Sequence, residues 1–300
     1  MSYHNPVLLH ESVDALAIKP NGVYVDVTFG GGGHSREILK RLGKDGKLFG
    51  FDQDADALAN SIDDERFELI PQNFRYISRF LRFYGVKKVD GILADLGVSS
   101  HQFDEAKRGF STRFEGDLDM RMNQKSKKSA REIINNYSEE KLAEILFLYG
   151  ELRNSRKIAR EIVHQRSGKA IETSFQLKEV LQPFLPKGRE HKILAQIYQA
   201  IRIEVNEELE VLKEFLQQVP SLLKEEGRLS VISYHSLEDR LVKRFIRTGL
   251  FDGEPEKDVF GNTNEPLKNV GKLIIPSKEE IKINNRARSA KLRIATLRKV

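Results

Sequence analysis

Three acids and a run of glycines carry the chemistry that can be read first. Asp26 ends an apolar run, Gly30 to Gly33 follow it, and His34 and Ser35 open helical sequence. Glycines at a strand-to-helix turn let the backbone approach a ligand with no Cβ in the way. The next apolar run starts at Lys47 and ends at Asp52, the distance at which such folds grip a ribose through its two hydroxyls. Together, glycine turn and acid suit an adenosine-containing cofactor. A nicotinamide dinucleotide fits less well, because G-x-G-x-x-G spacing started at Gly30 needs a third glycine where Ser35 stands.

The third acid, Asp95, closes the stretch Asp90-Gly-Ile-Leu-Ala-Asp95 and is delivered to the carboxyl edge of the same sheet, where open α/β folds bind ligands. In enzymes that methylate exocyclic amino nitrogens, a polar residue at this point opens a D-P-P-Y-like motif and accepts a hydrogen bond from the target NH2. Here the segment reads Asp95-Leu-Gly-Val98, with the acid present and the stacking aromatic absent. A cap on the following turn explains Asp95 equally well, so both readings stand at this point. His235 ends a later strand and points toward the same edge, with a purely structural histidine as its alternative.

These residues need a doubly wound sheet to hold them. Strands are expected near 23–29, 47–52, 67–71 and 89–95, with helical stretches between them at βαβ spacing. Between Gly109 and about Leu209 the alternation stops. Helices begin near Ser138, Ser155 and Thr173, the last with Gln176 at capping-box spacing. A long helix from about Glu190 to Pro220 carries Ile193, Leu194, Ile197, Ile201, Val205, Leu209 and Leu212 on one side. Strand character returns at Arg228 to His235, followed by a helix capped by Ser236 with Asp239, and again near 272–276 and 290–297. Residues 252–270, rich in Gly, Pro, Asp and Asn, read as a surface excursion. The simplest architecture is an α/β sheet domain, 1–108 with 212–300, interrupted by a helical domain at 109–211.

Composition narrows the classes. The 300 residues carry 50 basic and 44 acidic side chains, and a net charge of +6 favours a polyanionic partner. With no cysteine there is no disulfide and no thiolate-held zinc or iron–sulfur site. His4, His10 and Glu11 lack the paired spacing of metal ligands, so no metal is expected. No apolar run is long enough to span a bilayer and no leader pattern is present, which predicts a cytoplasmic protein.

At this level of detail the chain resembles the ribosomal RNA small subunit methyltransferase H family. The resemblance rests on an ordered series: His4-Asn-Pro-Val-Leu-Leu-His-Glu11, the glycine turn, Asp52, Asn73-Phe74, Asp95-Leu-Gly-Val-Ser-Ser-His-Gln102 and Arg108-Gly-Phe-Ser111. It continues through Leu118-Asp-Met-Arg-Met122, Tyr149-Gly-Glu151, Ser155-Arg156 and Arg202-Ile-Glu-Val-Asn206. It ends on Val231-Ile-Ser-Tyr-His-Ser-Leu-Glu-Asp-Arg240 and Arg288-Ser-Ala-Lys-Leu-Arg293. The resemblance implies a Rossmann-like S-adenosylmethionine methyltransferase sheet with an inserted all-helical domain for substrate recognition. It further implies methylation of the N4 amino group of a cytidine in the decoding region of bacterial 16S rRNA, within the small ribosomal subunit.

Cofactor contacts carried over from it fall on Gly32, Gly33, His34, Asp52, Phe74, Asp95 and Gln102. Asp95 and His235 become the catalytic candidates, and Arg108, Arg121, Arg286 and Arg288 the candidates for RNA. The chain departs from the family pattern at His191-Lys-Ile-Leu-Ala195, Asn284-Asn-Arg286 and Asp117, away from the cofactor positions. Two rival classes remain: a non-catalytic RNA-binding protein, and a nicotinamide-dependent oxidoreductase on the same sheet. The oligomeric state is left open, with a homodimer among the alternatives.

Overall fold

The structure is a computed structural model that describes residues 6–257, 259–261, 263 and 265–298. In chain order its helices and strands are α1 (Leu9–Asp14), β1 (Val23–Asp26), α2 (Gly33–Arg41), β2 (Lys47–Phe51), β3 (Phe67–Ile70), α3 (Ile77–Phe83) and β4 (Val89–Asp95). Next come α4 (Ser100–Asp104), α5 (Ala130–Asn136), α6 (Glu139–Leu148), α7 (Ser155–Gly168), α8 (Ser174–Leu181) and α9 (Glu190–Asn206). The last group is α10 (Glu208–Leu222), β5 (Leu223–Ser233), α11 (Ser236–Thr248), β6 (Leu267–Asn269), α12 (Lys278–Ile283) and β7 (Lys291–Leu297).

Two compact units result, one from Met1–Gly97 with Leu209–Val300 and the other from Val98–Glu208. In the first, seven strands run in the order β3-β2-β1-β4-β5-β7-β6. The first five are parallel, whereas β7 is antiparallel to both β5 and β6. This is the doubly wound, Rossmann-like sheet that the resemblance implies. Strands β1 and β4 read as continuous apolar runs because both of their faces are covered. Period-two alternation sends Val25 and Val27 into a core with Phe215 and Leu216 of α10 and Val242 and Phe245 of α11. Tyr24 enters the opposite core, with Val13 of α1 and Ile38 of α2.

The sheet departs from expectation at its antiparallel edge. Instead of a strand at 272–276, β6 lies inside the segment read as an excursion, and Ile274 makes only an isolated bridge to Leu292. Residues 267–274 follow β7, since Val270 donates to the Ile294 carbonyl between those two contacts, and a left-handed Gly271 breaks the ladder.

The second unit is helical, with Ile133, Leu142, Ile158, Leu177, Ile197 and Ile201 among its fully buried side chains. The expected boundary at 108/109 falls inside it. Val98 and Phe103 pack against this helical core, so the unit begins at Val98. The predicted long helix is two helices: Glu207 takes a left-handed conformation between α9 and α10. Asn206 secures that break, accepting from the Met122 N–H and donating to the Met120 carbonyl. Helix α10 then carries Pro220 within it and ends at Leu222. The Leu118–Met122 and Tyr149–Glu151 segments serve the helical unit itself. Leu118 and Met120 are buried in its core, and Gln196 and Gln199 of α9 donate to the carbonyls of Gly150 and Tyr149.

Among the described residues no helix is long and apolar enough to cross a membrane.

Candidate active site

Strand order reverses between β1 and β4, and such switch points leave a crevice at the carboxyl ends of the strands. The glycine turn follows β1 there. Gly32 has φ +74°, a conformation that penalises any side chain, and is the N-cap residue of α2. Gly33 is required for a different reason, since a Cβ there would stand 2.2 Å from Cγ of Pro6. The loop is pinned from outside by its carbonyls: Arg36 donates to Gly31 O and Asn60 to Gly30 O.

Asp52 follows the last residue of β2 and holds the turn from the other side. Its Oδ2 accepts the Gly30 N–H at 2.8 Å and its Oδ1 accepts the Asp54 N–H at 2.8 Å. Burial pushes its carboxyl up to about 6, against those two N–H groups, with the charges of Asp54 and Asp26 adding to the rise. Asn73 bonds Gln53 at 2.9 Å and ties the ends of β2 and β3 together. The adjacent Phe74 is half-buried and meets Phe215 edge-on at 5.3 Å, so part of its ring belongs to the core.

Asp26 and Asp95 form a linked pair at the switch point. Asp26 is fully buried, accepting from Ser35 Oγ at 2.7 Å and from the Thr28 N–H at 3.1 Å. Thr28 Oγ1 in turn accepts the Asp95 N–H at 2.6 Å. Desolvation raises the Asp26 carboxyl, with nearby His34 and the Ser35 hydroxyl working in the other direction. Asp95 is likewise raised by burial, to about 6, opposed by His34 and by the Tyr234 hydroxyl. Tyr234 donates to Asp95 Oδ1 at 2.7 Å, and its own phenol is driven well up by burial and by the Asp95 charge. The buried His34 ring lies between Val7 O at 3.2 Å and Asp95 Oδ2 at 3.8 Å.

No described lysine or arginine forms an ion pair with Asp26, Asp52 or Asp95. Three partly or wholly desolvated carboxyls beside a backbone turn, with no lysine or arginine paired to them, fit a ligand that carries positive charge together with a ribose.

The sequence around this crevice also matches known proteins along its length. A family model described as the MraW methylase family matches residues 1–298. The chain belongs to the MraW methylase family. A ribosomal RNA small subunit methyltransferase H from Christiangramia forsetii is 69% identical over 98% of each chain. One from Flavobacterium johnsoniae is 66% identical, again over 98% of each. Among solved structures, an rRNA methylase from Streptococcus thermophilus is similar at a TM-score of 0.44 and 13% identity, covering 100% of this chain and 99% of its own.

In this MraW-family chain several expected residues occupy other roles. His235, not Ser236, is the N-cap of α11: its Nδ1 accepts the Glu238 N–H at 3.4 Å, and its Nε2 stands 3.1 Å from Glu238 Oε1. It is Tyr234, one residue earlier, that reaches Asp95. Asp239 does not close the cap either, since Glu238 does; Asp239 takes Lys291 at 3.1 Å and Arg293 at 2.7 Å instead.

Gln102 is buried and closes the capping box of α4 with Ser99. Arg108 is buried, with its Nη2 on the carbonyls of Arg121 and Met122, which leaves it unsuited to a phosphate. Arg121 forks onto both oxygens of Asp119, at 2.9 and 2.6 Å, and is likewise committed. Arg286 and Arg288 are exposed on the short turn of helix before β7. His10 and Glu11 are exposed on α1, and His4 lies outside the described residues.

Spacing marks Asp26 only as the end of the first apolar run, although its carboxylate organises the turn. Thr28 and Tyr234 carry no local signal at all.

Proposed function

We propose that this methylase transfers a methyl group from S-adenosylmethionine to the N4 amino group of a cytidine in the decoding region of 16S rRNA, within the small ribosomal subunit. The observation that carries the reading is a strand-end carboxyl, Asp95, raised to about 6 and oriented by Tyr234 beside the glycine turn of a methylase-family chain.

S-adenosylmethionine supplies a methyl group on positively charged sulfur, already a strong electrophile. The protein therefore has alignment and proton handling to perform, because a cytosine amino lone pair is delocalised into its ring. In this reading Gly32 and Gly33 admit the cofactor backbone-close, Asp52 accepts from its ribose hydroxyls, and Phe74 offers the exposed part of its ring to the adenine. Asp95 accepts a hydrogen bond from the amino N–H, favouring a pyramidal nitrogen whose localised lone pair faces the methyl group, and takes the proton that the nitrogen must lose once the new N–C bond forms. Tyr234 fixes one oxygen of Asp95 and leaves the other for the substrate. The base must leave its stack to reach a crevice of this kind. The helical unit and the exposed arginines Arg286 and Arg288 serve RNA recognition.

Mass spectrometry of small-subunit rRNA nucleosides from cells lacking the protein tests the reading. Loss of N4-methylated cytidine, restored by the wild-type gene and not by the Asp95→Asn variant, is the expected result. Unchanged nucleosides would send the search to another substrate.

A further inference from the structure

The end of the sheet opposite the proposed active site carries a second basic feature. A half-open groove of about 1100 Å³ runs past Tyr24 and Asp90 at the starts of β1 and β4, Arg228 in β5, and Thr296 to Arg298 at the end of β7. Seven basic side chains line it against three acidic ones. Three of the cations are committed elsewhere: Lys19 lies 3.9 Å from Asp90, Arg293 bonds Asp239, and Arg298 bonds Glu265. The other four, Arg228, Lys243, Arg247 and Lys268, form no ion pair with any described residue.

Their placement sets like charges near one another. Lys243 and Arg247 are one turn apart on α11, both exposed, a spacing at which like charges repel. Arg228 and Lys268 each pair in register with Thr296, from opposite sides, so the three side chains share one face of the sheet as a cation–hydroxyl–cation row. Unpaired cations around a solvent-filled groove create a field that concentrates anions. The guanidinium and ammonium groups match the oxygens of successive phosphates, while Thr296 Oγ1 donates to the Gly227 carbonyl and Asn269 Nδ2 to the Gly271 carbonyl.

We infer that this groove binds the phosphodiester backbone of the substrate RNA at a place remote from methyl transfer. From Asp90 to Asp95 strand β4 advances by roughly 17 Å, at about 3.3 Å per residue. The groove therefore holds RNA flanking the target and leaves the reacting base to the other end of the sheet. The inference rests on the RNA-methylating role proposed above, and its test separates the two.

The double variant Lys243→Gln, Arg247→Gln changes exposed positions on the polar side of α11 and leaves the core intact. RNA affinity measured across a salt series should fall, with the slope of log affinity against log salt reduced by about 1.5 to 2 units for two lost phosphate contacts. Affinity for S-adenosylmethionine and the single-turnover methylation rate at saturating RNA should stay at wild-type values. The charge-keeping swap Lys243→Arg, Arg247→Lys should retain the slope. Parallel salt lines, with wild-type protein still methylating rRNA, overturn the groove and leave the enzyme reading intact. A wild-type protein that neither binds the cofactor nor methylates RNA overturns the enzyme reading instead. If tripolyphosphate stabilises the wild type and not the double variant while the RNA slopes remain parallel, the groove serves a small phosphate compound and the RNA inference falls.

Discussion

The two ends of one sheet handle charge in opposite ways. At the carboxyl end, Asp26, Asp52 and Asp95 are withdrawn from water, satisfied by hydroxyls and backbone N–H groups, and raised above the ordinary carboxylate value. At the other end, Arg228, Lys243, Arg247 and Lys268 keep their charges in or near water, facing a groove. Desolvated charge is destabilising and geometrically fixed, which suits a site that must align a reacting group. Solvated charge is mobile and costs the fold little, which suits capture of a long polyanion. Stability and function therefore conflict at the acidic end and barely meet at the basic one.

Asp95→Asn should disrupt the acidic end most severely. If Asp95 receives the amino proton as proposed, losing its carboxylate should slow single-turnover methyl transfer by about 10²–10⁴-fold. The same change should stabilise the fold at pH 8. Asp95 rises from an ordinary 3.8 to about 6 in the folded protein, so the native state binds the extra proton and stability falls as pH climbs from about 4 to 6. The side chain is 23% exposed, so the gain from removing the charge is on the order of 1–2 kcal/mol at pH 8 and vanishes near pH 4. Denaturant melts at the two pH values check the sign. Normal turnover in the variant would return Asp95 to a turn-capping role.

Asp52→Ala comes next. If Asp52 accepts from the ribose hydroxyls as proposed, losing those charge-assisted bonds should cost about 1.5–3 kcal/mol of S-adenosylmethionine binding, roughly a tenfold to hundredfold rise in Kd by calorimetric titration. An unchanged Kd would confine Asp52 to bracing the Gly30 turn.

Tyr234→Phe acts on the same acidic end with a smaller effect. The hydroxyl stabilises the ionised form of Asp95, so its removal should raise the Asp95 pKa beyond about 6. The acid limb of the pH–rate profile should therefore move upward, by about half a unit to one unit, with cofactor affinity nearly unchanged. An unmoved limb would mean that another group titrates there.

The mildest change is Arg286→Ala with Arg288→Ala, which asks whether solvated cations outside the groove also meet the RNA. If both contact phosphates, the salt slope of RNA binding should fall by about two units while the melting temperature and cofactor affinity hold. Parallel lines would leave RNA capture to other surfaces.

The parallel half of the sheet was legible from sequence because its inner strands β1, β2 and β4 are buried on both faces and show as largely apolar runs, while the edge strand β3, with Glu68 exposed in its middle, shows by its βαβ spacing. The glycine turn was legible because the left-handed backbone at Gly32 and the approach of Pro6 to Gly33 leave no room for Cβ. The antiparallel edge was not. Strand β6 is three residues long and is defined by its pairing with β7, where Leu267 stands opposite Leu297, more than by any pattern of its own. The apolar stripe of α9 also reads straight through Glu207, and nothing local announces that Asn206 will bind Met122 and Met120, 84 and 86 residues earlier.

Burial period and backbone sterics act locally, so the order of residues along the chain was enough to set the class of sheet, the place of the glycine turn and the acids at the strand ends. Which polar groups meet was settled only by folding in three dimensions. There Asp95 found Tyr234 and His235 became a helix cap, because neighbouring residues leaving a strand point in different directions. Arg108 went to backbone carbonyls and Arg121 to Asp119, while Arg286 and Arg288 stayed exposed. A charged side chain carries the same letter whether it is satisfied inside the fold or offered to a ligand, and only its partners in space distinguish the two.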